Sequence, residues 1–299
     1  MEQCKNPVCL TSVFDFFLIY TQFTVHNTIN KPGTRLPRMT QKEYFGVDIK
    51  IWLTLVLASC ISGVLVIPYL LEFSGQSLPP LPEFLQIALL AFIQYAVMFG
   101  ILAFLGLWIS KKIGLEPTPV LSGKTRLREH LTISVVSGIA AGVAIVLLNI
   151  LLNFLFVFPD TGPGTGNPGA FVGFLASFYG GIAEEVLLRL FFVSFLCLLM
   201  IGAMRLTGYA KSWKYTDTIV WVSVVIAAIV FGLAHLPGTA VIMAITPAVI
   251  LRAVLLNGIG GVVFGWLFFR KGLEFAMISH FSLDIVLHVI LPLIGYSLL

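Results

Sequence analysis

Gly180-Gly-Ile-Ala-Glu184-Glu185-Val-Leu-Leu-Arg189-Leu190 sets two adjacent carboxylates and one guanidinium inside an otherwise apolar run from Ala170 to Met204. At 1.5 Å of rise per residue, ~20 apolar residues cross the hydrocarbon of a bilayer as a helix. A charged side chain at that depth costs about 2.5 kcal/mol or more, so ionisable groups found there face a protein interior or a wet cavity and mark function. The Glu184–Glu185 pair therefore points both to a membrane helix and to a polar centre within it.

Six further apolar stretches accompany it, Ile51–Leu71, Phe84–Ile109, Leu131–Phe158, Thr218–Leu236, Thr239–Phe269 and Leu273–Leu298. Hydrophobic residues make up 58% of the 299 and charged residues 11%, with a mean hydropathy of +1.00. That balance excludes a soluble domain. The fold class is all-α, a polytopic membrane helix bundle of about eight transmembrane helices around an intramembrane polar cavity, with the lipid bilayer as its first partner. The Gly/Pro-rich segment Asp160–Gly169 reads as a turn, not a phosphate cradle, because it lacks the Lys-Ser/Thr ending and joins two apolar spans. It divides the chain into an N-terminal segment (1–50), front transmembrane helices (51–158) and a back transmembrane core (170–298).

Loop charge orients the bundle. Lys5, Lys31, Arg35, Arg38, Lys42 and Lys50 precede the first span, Lys111, Lys112, Lys124, Arg126 and Arg128 follow the second, and Arg205, Lys211 and Lys214 follow the fourth. The intervening connections, Glu72–Glu83, Pro159–Gly169 and Pro237–Gly238, contain neither Lys nor Arg. By the positive-inside rule this alternation puts the N-terminus in the cytoplasm of a multi-pass integral membrane protein. No basic run suggests nucleic-acid binding. The aromatic patch Ser12–Phe23, interrupted by Asp15, has no small-residue cleavage pattern and reads as an interfacial helix rather than a signal peptide. Cys4 and Cys9 read as plain thiols in preference to palmitoylation sites.

Nearly all the intramembrane ionisable residues follow position 170. Glu184-Glu185-x-x-x-Arg189 is the first patch, Phe231-x-x-x-His235 the second and His280-x-x-x-Asp284 the third, with His288 one turn further. Glu185 and Arg189 are four apart, the spacing of a helical ion pair. Glu184 points about 100° away, without that partner and suited to a general base. His280, Asp284 and His288 share a helix face, His288 lying ~12 Å along the axis from His280. A carboxylate, two imidazoles and a fourth polar group suffice to activate water, protonate a leaving amine and steady an oxyanion. Ser177, Ser194 and Ser279 occupy no Gly-x-Ser-x-Gly elbow, and no His-Glu-x-x-His helix occurs.

Glu-Glu-x-x-x-Arg, Phe-x-x-x-His and His-x-x-x-Asp/Asn, in that order across membrane helices, resemble the CPBP family, which includes the CAAX prenyl endopeptidases and the bacteriocin-processing Abi proteins. The resemblance covers roughly 170–290. It implies an intramembrane endopeptidase acting on a hydrophobic or prenylated membrane-associated peptide. In it Glu184 and His235 activate the water, His280 and Asp284 position substrate or steady the oxyanion, and Glu185, Arg189 and Phe231 support them. Where many prenyl endopeptidases have Asn, this chain has Asp284, which when ionised accepts but does not donate; holding His280 or binding a metal suits it better. Glu184, His235, His280 and Asp284 would also suit Zn²⁺, and family members are commonly labelled metalloproteases, although a metal-free glutamate protease is favoured.

Plainer readings compete. Glu185–Arg189 could be a structural pair, His235 a helix-end histidine bonded to a carbonyl, Asp284 a partner that satisfies His280, His288 a structural histidine and Arg252 a snorkelling residue at a helix end. Gly138/Gly142 and Gly261/Gly265 read as packing positions. A non-catalytic immunity or scaffold protein, or a proton-coupled transporter, is the alternative at the level of function. One conflict concerns depth: a single span over 239–269 would start His280 on the face opposite His235. A break near Gly258-Ile-Gly-Gly261, giving helices at about 239–255 and 258–270, relieves it, but leaves Arg270 and Lys271 on the non-cytoplasmic side.

Overall fold

The computed structural model describes residues 43–44, 46–162 and 165–296; the Ser12–Phe23 patch, Cys4, Cys9 and nearly all of the 1–50 segment lie outside the described residues. After a short antiparallel pairing of β1 (Glu43–Tyr44) with β2 (Val47–Asp48), the chain is helical. Among the described residues seven helices are long and apolar enough to cross a membrane: α1 Ile49–Phe73, α2 Leu81–Ile113, α3 Leu131–Leu155, α4 Ala170–Leu206, α5 Asp217–Ile242, α6 Pro247–Lys271 and α7 Leu273–Leu293.

Local chemistry sets where these helices start. The Asp48 carboxylate accepts from Lys50 N at 2.8 Å at the head of α1, and the Thr216 and Thr246 hydroxyls accept from Ile219 N and Val249 N at the heads of α5 and α6. Each satisfies a backbone donor that a first helical turn leaves open. Pro247, with no N–H to satisfy, follows Thr246 in the first turn of α6. Gly272 turns the chain from α6 into α7 at φ 114°, a backbone conformation that a side chain would strain. Leu273 N then donates to Pro117 O at 2.7 Å, which pins the start of α7 and with it the depth of His280.

The expected break in the sixth apolar region is not found at Gly258–Gly261. Helix α6 runs unbroken through those glycines, and the chain leaves the helix at Met243–Thr246 instead. The reason is packing: a Cβ on Gly261 would strike Ala228, one on Gly265 would strike Val224, and one on Gly232 would strike the backbone of Val254. These glycines let α5 and α6 lie backbone to backbone. Gly138 and Gly142 serve α3 against α7 in the same way, facing Ser279 O and Val286.

Seven crossings instead of eight also remove the charge penalty. Arg270 pairs with Asp217 at 2.5 Å, so α6 ends beside the start of α5. At this end Tyr215 N donates to Ile113 O at 3.1 Å and Lys111 Nζ to Gly46 O at 2.8 Å. Arg270 and Lys271 thus join the basic end of the bundle. The other end is tied by Gly166 N to Phe73 O and Gly162 N to Ile242 O, each at 2.9 Å, and by Gly169 N to the Glu72 carboxylate at 2.9 Å. Its described connections contain no Lys or Arg.

Arg252 does not snorkel. It is buried, donates from Nε to Asn149 Oδ1 at 2.9 Å and lies over the Phe158 ring. Asn149, itself fully buried on α3, supplies inside the bundle the acceptor that a buried guanidinium requires.

Candidate active site

Helix α4 is irregular where its polar residues lie. It is π-helical over Tyr179–Glu184 and again over Val186–Val193, and α7 has a third such segment at Ile285–Ile290. π turns are rare and concentrate at functional sites, because the wider turn re-aims side chains that a regular helix would align elsewhere. Gly180 and Gly181 bring α4 against the polar side of α7. A methyl on Gly180 would fall on Asp284 Oδ2 and 3.1 Å from His280 Nε2, and one on Gly181 3.0 Å from Met277 O.

Glu185 is fully buried and joins two partners at one oxygen. Its Oε1 lies 2.9 Å from Arg189 Nη1 and accepts from His280 Nδ1 at 2.8 Å. The Arg189 contact is an ion pair by distance without hydrogen-bond alignment, and Glu185 Oε2 has no hydrogen-bond partner. Arg189, 2% exposed, is sandwiched between the Phe231 and Phe264 rings, each 5.1 Å away, an arrangement in which two ring faces replace lost solvent. The spacing of the pair was legible; the bridge to His280 was not, since 95 residues separate it from Glu185.

His280 is fixed on three sides. Nδ1–H donates to Glu185, the Phe264 ring stacks on the imidazole at 4.3 Å and 19°, and Nε2 faces Glu184 Oε2 at 3.8 Å and Asp284 Oδ1 at 3.6 Å. A carboxylate on Nδ1 sets the tautomer and aims the other nitrogen, as in the Asp–His half of a hydrolase triad. Glu184, 23% exposed, has no Arg or Lys partner among the described residues and borders a cavity of about 1050 Å³ lined also by Tyr69, His235, His280, Asp284 and His288.

His235 occupies the joint where α5 passes into its last turns. Its Nδ1 lies 2.8 Å from Phe231 O; a carbonyl only accepts, so Nδ1 has the proton and Nε2 is left bare. This is the carbonyl-bonded arrangement of the plainer reading, in a residue that also lines the cavity. Among the described residues its ring enters no ion pair. Phe231 spans the depth between the two imidazoles, its ring 4.7 Å from His235 and 5.9 Å from His280, because helical side chains lean toward the N-terminal end of their helix. An unbroken α6 is thus compatible with one shared cavity, although His235 and His280 do not touch.

Three residues at the site went unnoticed in the sequence. Gly180 and Gly181 gave a signal, two glycines directly before the acidic pair. Tyr69, whose hydroxyl meets His288 Nδ1 at 3.2 Å, gave none. Among the described residues no three His, Cys, Asp or Glu side chains, those of the four residues considered for zinc included, are arranged to hold a metal.

Residues 166–286 match the family model of the type II CAAX prenyl endopeptidases, Rce1-like. The match runs from the loop before α4 into the π-helical segment of α7. No curated protein and no solved structure matches the chain.

Proposed function

We propose that this chain, whose residues 166–286 belong to the Rce1-like type II CAAX prenyl endopeptidases, is a glutamate-type intramembrane protease that cuts near the C-terminus of prenylated membrane proteins. The observation that carries this is the gap between Glu184 Oε2 and His280 Nε2, 3.8 Å across and open to the cavity. A bare ring nitrogen facing two carboxylate oxygens is repulsive unless a hydrogen lies between them, and a water beside the gap, on its cavity side, would bridge Glu184 and His280.

Glu184 removes a proton from that water as its oxygen attacks the scissile carbonyl, then returns the proton to the leaving amine as the C–N bond breaks. His280 Nε2 holds the water's second hydrogen and receives it as the product carboxylate forms. Glu185 keeps the ring aimed and offsets the imidazolium charge, while Arg189 pairs with Glu185 from the other side. Across the cavity His235 offers a bare Nε2 to the amide N–H of the substrate. Asp284, an acceptor, steadies His280 once Nε2 has gained the proton and takes no oxyanion role. No step passes through a metal. The charge-poor end, with Gly166–Ala170 and Tyr296 at the cavity border, is the side from which substrate enters.

Purified protein in lipid should cleave a farnesylated C-terminal peptide faster than its unprenylated form. Glu184→Gln should lower kcat by roughly 10²–10⁴-fold without changing helix content by circular dichroism. Undiminished cleavage in that variant would refute the mechanism. Prolonged dialysis against EDTA should leave the rate within about twofold, and a loss restored by Zn²⁺ would refute the metal-free route.

A further inference from the structure

Resting on that hydrolytic reading, we propose that Tyr69 and His288 are positioning residues that hold Asp284, and through it His280, from outside the segment that matches the family. His288 lies two residues beyond the end of the match at 286, and Tyr69 belongs to the front half of the chain.

Helix α1 bends at Val66, and its second limb, Ile67–Phe73 with Pro68 in the first turn, sets Tyr69 against α7. The Tyr69 ring meets His288 edge-on at 5.3 Å and is backed by Phe73 at 6.1 Å. Gly173 of α4 presses on the His288 carbonyl so closely that a methyl there would collide with it. His288 is therefore gripped by α1 on one side and α4 on the other.

One of these contacts is a hydrogen bond and the others are electrostatic. A carboxylate repels a bare nitrogen, so the His288 hydrogen faces Asp284 from Nε2, across 4.0 Å to Oδ1. Nδ1 is then bare and accepts from the Tyr69 hydroxyl at 3.2 Å. The same Asp284 oxygen lies 3.6 Å from His280 Nε2. One carboxylate oxygen thus lies within 4.0 Å of a nitrogen of each imidazole, with Gly180 closing the other side against Oδ2. Without the Tyr69–His288 pair Asp284 loses its neighbour on the cavity side, and the His280 nitrogen beside Glu184 loses its counterpoise.

Two measurements test this. In detergent-solubilised protein with ¹⁵N-labelled histidine, Tyr69→Phe should move the NMR signals of both His288 and His280 while leaving His130 and His235 in place; movement of His288 alone overturns the coupling. In the cleavage assay Tyr69→Phe and His288→Leu should each lower kcat roughly tenfold or more with KM nearly unchanged. The double variant should be no worse than the worse single, as expected of a unit, and His288→Gln, which keeps a donor toward Asp284, should recover part of the rate. Additive losses, or effects confined to KM, overturn the proposal. A wild-type protein that cleaves no peptide would sink the protease reading, while the NMR experiment still decides the coupling on its own.

Discussion

Helices α2 and α4 are the two longest of the bundle, 33 and 37 residues of similar hydropathy, and they use that length in opposite ways. Only 17% of the most apolar stretch of α2 is buried against protein, against 44% for α4. Between Glu83 and Lys111 helix α2 contains no charged residue and stays α-helical throughout. In α4 a buried Glu–Arg pair, a cavity-facing Glu and two π-helical segments occur within 15 residues, Tyr179–Val193. Lipid asks of a helix only that it be apolar and satisfy its own backbone. A polar centre asks in addition that particular atoms be aimed, and the helix departs from regularity where that demand falls.

The contrast is broken most severely by removing the cation of α4. Arg189→Met removes one partner of a fully buried pair, which should cost about 3–5 kcal/mol of stability, read by thermal or denaturant unfolding in detergent. Adding Glu185→Gln to Arg189→Met should restore most of the stability but not the cleavage, since His280 then loses its ionised partner. If Arg189→Met alone unfolds like the parent, the pair is not what sets α4 apart.

How much of this was legible follows from the range of each interaction. The spans, the Glu185–Arg189 pair and the glycine packing positions are written in spacings of a few residues, and the structure has them where the sequence puts them. Glu185–His280 and Tyr69–His288 join residues 95 and 219 apart, and nothing local announces such partners. The misplaced break has a different cause. Glycines in a lipid-embedded helix can loosen it or let a neighbour approach, and Gly261 and Gly265 do the second because Ala228 and Val224 sit opposite them. Arg252 was misread for a similar reason: its acceptor, Asn149, lies on α3, beyond the reach of any local pattern.

A sharper comparison sets one glycine of each helix side by side. Gly180→Ala in α4 would push a methyl into the Asp284 carboxylate, the mobile end of a side chain, so the fold should survive while Asp284 is displaced. Cleavage should fall roughly 10- to 10²-fold, the scale of a misplacement near 1 Å. Gly100→Ala in α2 would meet only Trp52 Cζ2, at 3.9 Å. It should leave cleavage unchanged and stabilise the helix by about 0.5–1 kcal/mol, the ordinary difference between Gly and Ala in a helix interior. Equal losses in the two variants would mean that the close approach at Gly180 has no special bearing on the site.

The smallest effect separates depth from charge. Arg270 and Asp217 form an ion pair at 2.5 Å, but at 46% and 58% exposure, at the end of the bundle where water screens them. Such pairs contribute about 0–1 kcal/mol because little solvation is lost in forming them. Arg270→Ala should therefore shift unfolding by less than about 1 kcal/mol and leave the cleavage rate as it was, although it removes the same charge as Arg189→Met. A loss approaching that of Arg189→Met would show that the end pair bears structural weight equal to the buried one, and that burial is not what gives the polar residues of α4 their importance.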